Sequence, residues 1–317
     1  MTRKYLSDNG FRAALNHRIQ ARARAVTRTP AELRREFFMQ RMLARVFADP
    51  SAPWILKGGA GLLVRLPGAR SSEDVDLLHP RVDLALAFEE LRAVVSVASS
   101  LDRITFRLEV GQRRAREGSS EVWKLRATPY LGAAPLQHFP IDLTAGTVPV
   151  GVIDRIEPVP VIEIPDVVAP PPFACYPLAD QIADKLAAMY EYHGIRREPS
   201  TRWRDLVDLV LLIRRFPFDA ATTRAVLAQQ PARRPDLDLP DAVRPPAPAW
   251  EQGYRNLARR TMLPPELHTL TAALEHLGRC LNPLLDGSVT TGTWNPERGA
   301  WEPADPALTA AATAPPR

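Results

Sequence analysis

Lysine is nearly absent from this chain of 317 residues: of 41 basic residues, only Lys4, Lys57, Lys124 and Lys185 are lysines. Where almost every cation is written as arginine, a surviving lysine is a candidate for a task that a compact ammonium does better than a planar guanidinium. Part of the bias also fits a GC-rich genome, which says nothing of function. Cysteine is scarce too. Cys175 and Cys280 are too few and too far apart for a disulfide framework or a zinc site, and fit a reducing cytoplasm. No apolar run approaches the ~18 residues of a membrane span. The opening residues, MTRKYLSDNG, lack the apolar core of a secretion signal. A cytoplasmic protein with no membrane partner is therefore expected. The formal charge of +5 tilts it toward polyanions such as nucleic acid without proving contact.

What is present concentrates first at 54 to 78, WILKGGAGLLVRLPGARSSEDVDLL. The pattern predicts a strand, a glycine turn opening a helix, a loop, and a second strand carrying Asp74 and Asp76. Residues i and i+2 of a strand share a face, about 6.6 Å apart at about 3.3 Å per residue, so the two carboxylates can grip one cation. Left without a cation they would repel, whereas Mg²⁺ takes one or two carboxylates plus substrate phosphates. The alternative is an edge strand with solvated acids. Gly58, Gly59 and Gly61 fall where backbone N–H groups and a helix dipole offer an anion site, or where a plain tight turn would stand. Lys57 precedes the glycines, which excludes a Walker A loop, and Val64 stands where a dinucleotide fingerprint needs its third glycine.

Three further acids draw attention. Asp142, in FPIDLTAG, lies between apolar neighbours on a predicted strand, where a charge is expensive without a partner or metal; capping of the following turn is the plainer reading. Asp205 and Asp208 sit three residues apart in WRDLVDLVLLI, a helix apolar nearly all round, so they should be buried and paired. Lys185, on the preceding helix, is the expected partner, either in a structural ion pair or as a site lysine facing phosphates.

Along the chain, the arginine-rich 11 to 26 reads as a helix with a solvated basic face or as an RNA-contacting arm. A capped helix follows from Thr29 to about Phe47. Periodicity predicts a helix at 82 to 99 and strands at 104 to 110, 121 to 127, 139 to 144 and 159 to 164, the first two strands joined by GQRRAREGSS. The Pro-rich 167 to 173 is the expected domain boundary. Helices are expected at 178 to 193, 201 to 214, 219 to 229, 248 to 261 and 265 to 283, and the Ala- and Pro-rich end from Trp301 is expected to be a disordered tail. The domains are expected at 1–165 and 174–285, with a partly disordered tail at 286–317.

Four motifs in order, KGG-A-x-L, RSSEDVDL, ADKLAA and RWRDLVDL, together resemble the AbiEii/AbiGii nucleotidyltransferase toxin family, MenT-like toxins included, over about residues 30 to 285. The family's usual acidic residue before the lysine is here Asp184, and its usual lysine before Asp205 is here Arg204. The resemblance implies an α+β fold: a DNA polymerase beta-like nucleotidyltransferase mixed sheet with helices, then a helical C-terminal domain, with the site between the two. It implies Mg²⁺ held by Asp74 and Asp76, a triphosphate bordered by Lys57, Gly58, Gly59, Arg70, Ser72 and Asp208, and Lys185 and Asp205 completing the catalytic set. Asp142 would match the third carboxylate of such folds and is the candidate base. An NTP would give its nucleotide to an acceptor hydroxyl, by resemblance the 3′ end of tRNA, in a toxin held in check by a cognate antitoxin. Ser72 is the position at which some such toxins are phosphorylated. The alternatives are a small-molecule or protein acceptor, and a non-catalytic RNA-binding protein on the same fold.

Overall fold

A computed structural model describes residues 4–26, 28–114 and 121–304. The chain divides into two compact units. The first takes the described residues up to 148, together with 155–175; the second takes 149–154 and the described residues from 176 onward.

The first unit begins with two helices whose ends are written in the sequence. In α1 (Asp8–Ala25) Ser7 caps the first turn, and Phe11, Leu15 and Ile19, spaced four apart, are buried while Arg22 and Arg24 face solvent. In α2 (Pro30–Val46) Thr29 and Glu32 form a reciprocal capping box and Pro30 fills the first turn. Then come β1 (Ile55–Lys57), α3 (Gly58–Arg65), β2 (Val75–His79), α4 (Leu84–Ser96), β3 (Ile104–Arg114), β4 (Val122–Leu131), β5 (Ala134–Pro135), β6 (Phe139–Ala145), β7 (Asp154–Ile156) and β8 (Phe173–Cys175).

These strands form one mixed sheet in the order β3-β4-β6-β2-β1-β8-β7, with β5 added to β4. β2 runs parallel to β6 and antiparallel to β1, and β4 is antiparallel to both β3 and β6. Leu56, Val75, Leu77, Trp123, Leu125, Ile141 and Leu143 occupy neighbouring positions in this register and join the buried core with α1, α2 and α4. Strand alternation then sends the intervening residues of the central strands to the opposite face.

The second unit holds α5 (Leu178–Tyr190), α6 (Trp203–Ile213), α7 (Ala220–Arg233), α8 (Trp250–Ala258), a short 3₁₀ turn at Pro265–Leu267, α9 (Leu270–Leu285), and the hairpin of β9 (Thr293–Asn295) with β10 (Ala300–Glu302). Its buried tryptophans are anchored at their polar ends. Trp250 Nε1 donates to the Ser200 carbonyl at 2.6 Å and Trp294 Nε1 to that of Ile213 at 2.7 Å.

Three expectations meet a different outcome. Residues 159–164 form no strand, because Pro158, Pro160 and Pro165 remove ladder donors; the Gln40 side chain instead bonds the Val159 carbonyl and the Val161 N–H. The Pro-rich 167–173 is followed by β8, which pairs with β1, so that link belongs to the first unit. The expected tail carries the β9–β10 hairpin with a buried Trp294 as far as Glu302, while residues 305–317, like 115–120 of the polar connection, lie outside the described residues.

Candidate active site

The polar face of the sheet carries a row of charges set by strand register. Lys57 on β1 lies opposite Asp76 on β2, Asp76 lies beside Asp142 on the parallel neighbour β6, and Asp142 lies opposite Lys124 on β4. Residues directly across from each other on adjacent strands point to the same side, so the four form one line reading plus, minus, minus, plus. All four are half-buried. The two central acids would repel, and the outer lysines offset that repulsion. Lys124 Nζ donates to both Asp142 oxygens, at 2.7 and 2.8 Å. For Asp142 to take a proton or bind a cation through those lone pairs, this bond has to open.

The glycine turn closes onto the row. β1 ends at Lys57 and α3 begins at once with Gly58, whose φ of +61° a side chain would strain. A Cβ at Gly58 would lie 1.8 Å from Asp76 Oδ2, so only glycine lets the backbone come this close to the carboxylate. A Cβ at Gly59 would lie 2.5 Å from Ser72 Oγ and 3.7 Å from an Arg70 nitrogen. Asp74 stands one residue ahead of β2, in a bend, where it is held by Ser72: the hydroxyl lies 3.1 Å from Asp74 Oδ1 and 3.2 Å from its carbonyl oxygen. Ser72 itself is buried. The loop before it is tied to α2, since Ser71 Oγ donates to Glu32 Oε1 at 3.0 Å and Arg70 donates to the Ser71 carbonyl at 3.3 Å. Gly58, Gly59, Arg70, Ser72, Asp74 and Asp76 are thus neighbours, and Gly61 packs against the Leu56 carbonyl below them.

A second group of charges lies within the helical unit. Lys185 on α5 donates to Asp205 Oδ1 at 2.9 Å and Asp208 Oδ2 at 2.6 Å, both on α6, and Arg202 Nε reaches Asp205 Oδ2 at 2.5 Å. All three members of the trio are buried, Asp208 completely. Burial pushes the Asp205 carboxyl up, but the Lys185 and Arg202 cations outweigh it and hold it well below the ordinary carboxylate range. Asp184, next to Lys185, points elsewhere and accepts from Gln230 at 2.9 Å.

Among the four lysines, Lys124 has no motif in the sequence to tie it to the site. The signals for it were its rarity and its phase: it alternates with Trp123 and Leu125, both of which face the core. Among the described residues, no three His, Cys, Asp or Glu side chains converge so as to hold a metal ion, and no helix is long and apolar enough to cross a membrane.

Residues 38–276 match the model of the family described as nucleotidyl transferase AbiEii toxin, type IV toxin–antitoxin system. Among solved structures, the chain is similar to MenT4, a nucleotidyltransferase toxin of Mycobacterium tuberculosis H37Rv, with 18% identity over 86% of this chain and 97% of that one and a TM-score of 0.48. It is also similar to JHP933 of Helicobacter pylori, with 16% identity over 82% and 94% and a TM-score of 0.45. No curated protein sequence matches it.

Proposed function

Since the chain belongs to the AbiEii family of nucleotidyltransferase toxins of type IV toxin–antitoxin systems, we propose that it transfers a nucleotide from an NTP to an acceptor hydroxyl, with Asp74 and Asp76 at the reacting phosphate. Nucleotidyl transfer is attack of a hydroxyl on the α-phosphorus with departure of pyrophosphate, and most of its catalysis is positioning and charge neutralisation. The donor set fits Mg²⁺: the oxygens are hard, and a pair of carboxylates suffices where substrate phosphates supply further ligands. The bare backbone of Gly58 against Asp76 leaves room there that a side chain would fill. When bound, the ion would neutralise triphosphate charge and activate the α-phosphorus toward attack.

The chain's own residues do the rest. The N-terminal N–H groups of α3, at Gly58 and Gly59, together with its dipole, would receive phosphate oxygens, and Lys57 and Arg70 would add fixed positive charge. Ser72 orients Asp74. The family resemblance assigns Lys185, Asp205 and Asp208 to the same reaction. Asp142 carries no role as base in this reading, because Lys124 occupies both of its oxygens. The acceptor is the 3′ end of tRNA, a reading supported by the net positive charge and the exposed arginines of α1. The cognate antitoxin restrains the enzyme, and phosphorylation of Ser72 is one route: about −1.5 to −2 charge placed beside Asp74 would repel a triphosphate. Ser72 is buried, so a kinase reaches it only when the 70–73 loop opens.

The observation that supports this reading is the close approach of the Gly58 backbone, at the N-terminus of α3, to the Asp76 carboxylate. Incubation of the protein with Mg²⁺, total tRNA and each labelled NTP in turn tests it. Label in tRNA from at least one NTP, lost by about 10⁴-fold in Asp74→Ala/Asp76→Ala as expected for removing several kcal/mol of metal-assisted stabilisation, is the expected result. Equal transfer by the double variant would overturn it. Label that forms without RNA would move the acceptor to a small molecule or a protein.

A further inference from the structure

Lys124 is paired with the acid that stands beside the candidate metal site, which bears on how many ions that site takes. Sites that use two cations hold them about 3.5–4 Å apart, and sharing two ions among the protein's acids calls for a third carboxylate beside the first two. Here that carboxylate is present, since Asp142 is the direct parallel neighbour of Asp76. It is already gripped, with Nζ of Lys124 at 2.7 and 2.8 Å from its two oxygens. The ammonium comes from the strand on the far side and is fixed there by the antiparallel register of Lys124 with Asp142.

Three features separate this from an ordinary cross-strand ion pair. The acid it neutralises stands next to a carboxylate of the candidate metal site, where an unpaired like charge would be felt most. The cation is one of only four lysines among 41 basic residues, and a compact point charge fits a space that an ion would fill better than a planar fork does. Finally, the Lys124 and Asp142 side chains keep 34% and 21% of their surface exposed, so a hydrated ion has access to Asp142 once the ammonium is gone.

We propose that Lys124 is a tethered cation standing in for a second divalent ion, so that this enzyme works with a single divalent cation, held by Asp74 and Asp76 with the nucleotide, while Asp142 serves Lys124. The proposal rests on the reading of Asp74 and Asp76 given above and adds to it the number of ions and the role of Lys124. Lys124 acts through Asp142 and is a positioning residue.

Counting ions tests this without any turnover. The full-length protein is titrated with Mn²⁺ in the presence of the unreactive α,β-methylene analogue of each NTP, free Mn²⁺ being followed by electron paramagnetic resonance. One Mn²⁺ per chain is expected for the native protein and for Lys124→Arg, two for Lys124→Met, and one again for Lys124→Met/Asp142→Asn. Thermal melts are recorded alongside, and Lys124→Gln replaces Lys124→Met if the latter does not fold. Two ions in the native protein, or a single ion in a folded Lys124→Met or Lys124→Gln variant, would overturn the proposal alone. No ion with any analogue would overturn the Asp74–Asp76 reading beneath it.

Discussion

The two charged groups of this protein set the same residue types in different surroundings. On the sheet, Lys57, Asp76, Asp142 and Lys124 stand in a line, half-buried, with the carboxylates in the middle and the glycine turn leaning on one of them. In the helical unit, Lys185, Asp205 and Asp208 are sealed, each hydrogen-bonded to another member of the trio. Charge that keeps some contact with solvent is open to a ligand, whereas charge that is buried and mutually hydrogen-bonded must break a contact before it can meet one. The difference is one of solvent access and of strand against helix geometry. A strand row sets acids side by side at fixed spacing, whereas two packed helices wrap them around one ammonium.

Stability measurements can break or sharpen that contrast. Lys185→Met should be the most damaging change, because it leaves two buried carboxylates around an apolar group, at a cost of about 3–5 kcal/mol. Denaturant unfolding would register this, and Lys185→Met/Asp205→Asn/Asp208→Asn, which removes the stranded charges, should recover much of the loss. A Lys185→Met protein as stable as the native one would mean that the trio is less closed than its geometry indicates.

Acid should act next, and on buried carboxylates. Asp102, on which Arg41 and Arg45 converge at 2.7 and 2.6 Å, joins Asp205 here. Burial pushes both carboxyls up, but the neighbouring cations outweigh it and leave both below the ordinary range in the folded state. The folded protein therefore binds these protons less readily than the unfolded chain does. The stability they contribute is complete above the unfolded value of about 3.9 and drains away as pH falls below it toward the lowered folded values. Urea midpoints taken from neutral pH down to about pH 2 should fall steeply below about pH 4, and less steeply in Asp205→Asn.

Gly58→Ala comes third. Its strained φ alone is worth about 1–2 kcal/mol, and the added methyl must displace the Asp76 carboxylate. Nucleotide affinity, read by titration with an NTP analogue, should drop by roughly tenfold for each 1.4 kcal/mol of that displacement. The smallest effect on stability belongs to Lys124→Met. Its ion pair is partly exposed and worth less than about 1 kcal/mol, so a melting point near that of the native protein is expected.

Much of this was legible in the sequence where local chemistry decides the structure. Thr29 and Glu32 announce a helix start, the glycines announce a turn after a strand, and the alternation of Val75, Asp76 and Leu77 announces a strand with one wet face. The pairing of Lys185 with Asp205 and Asp208 followed from burial in an apolar helix, which forces buried charges to find partners. What escaped was set by longer-range pairing. That Lys124 meets Asp142 depends on the register of β4 against β6, which no local pattern encodes. The apolar alternation at 159–164 has the side-chain pattern of a strand, but Pro158 and Pro160 remove backbone donors that a ladder needs. The aspartate spacing also promised two strand residues, whereas Asp74 ends up ahead of β2, placed by Ser72 instead of by the ladder.

The parallel pairing of β2 with β6 and of β1 with β8 bears on when such an enzyme can become harmful to the cell that makes it. Asp74 and Asp76 are synthesised early, but the strand that flanks them on one side ends at Ala145 and the one bordering β1 ends at Cys175. Pairings so distant in sequence close late in folding, because the loop entropy between them must be overcome first. A chain still emerging from the ribosome at residue 130 has β1 as the antiparallel neighbour of β2, but lacks β6 and β8 on the outer sides of that pair. On the reading of Asp74 and Asp76 proposed above, nucleotide binding is expected to be absent from chains truncated before Phe139, whose sheet lacks β6 and β8.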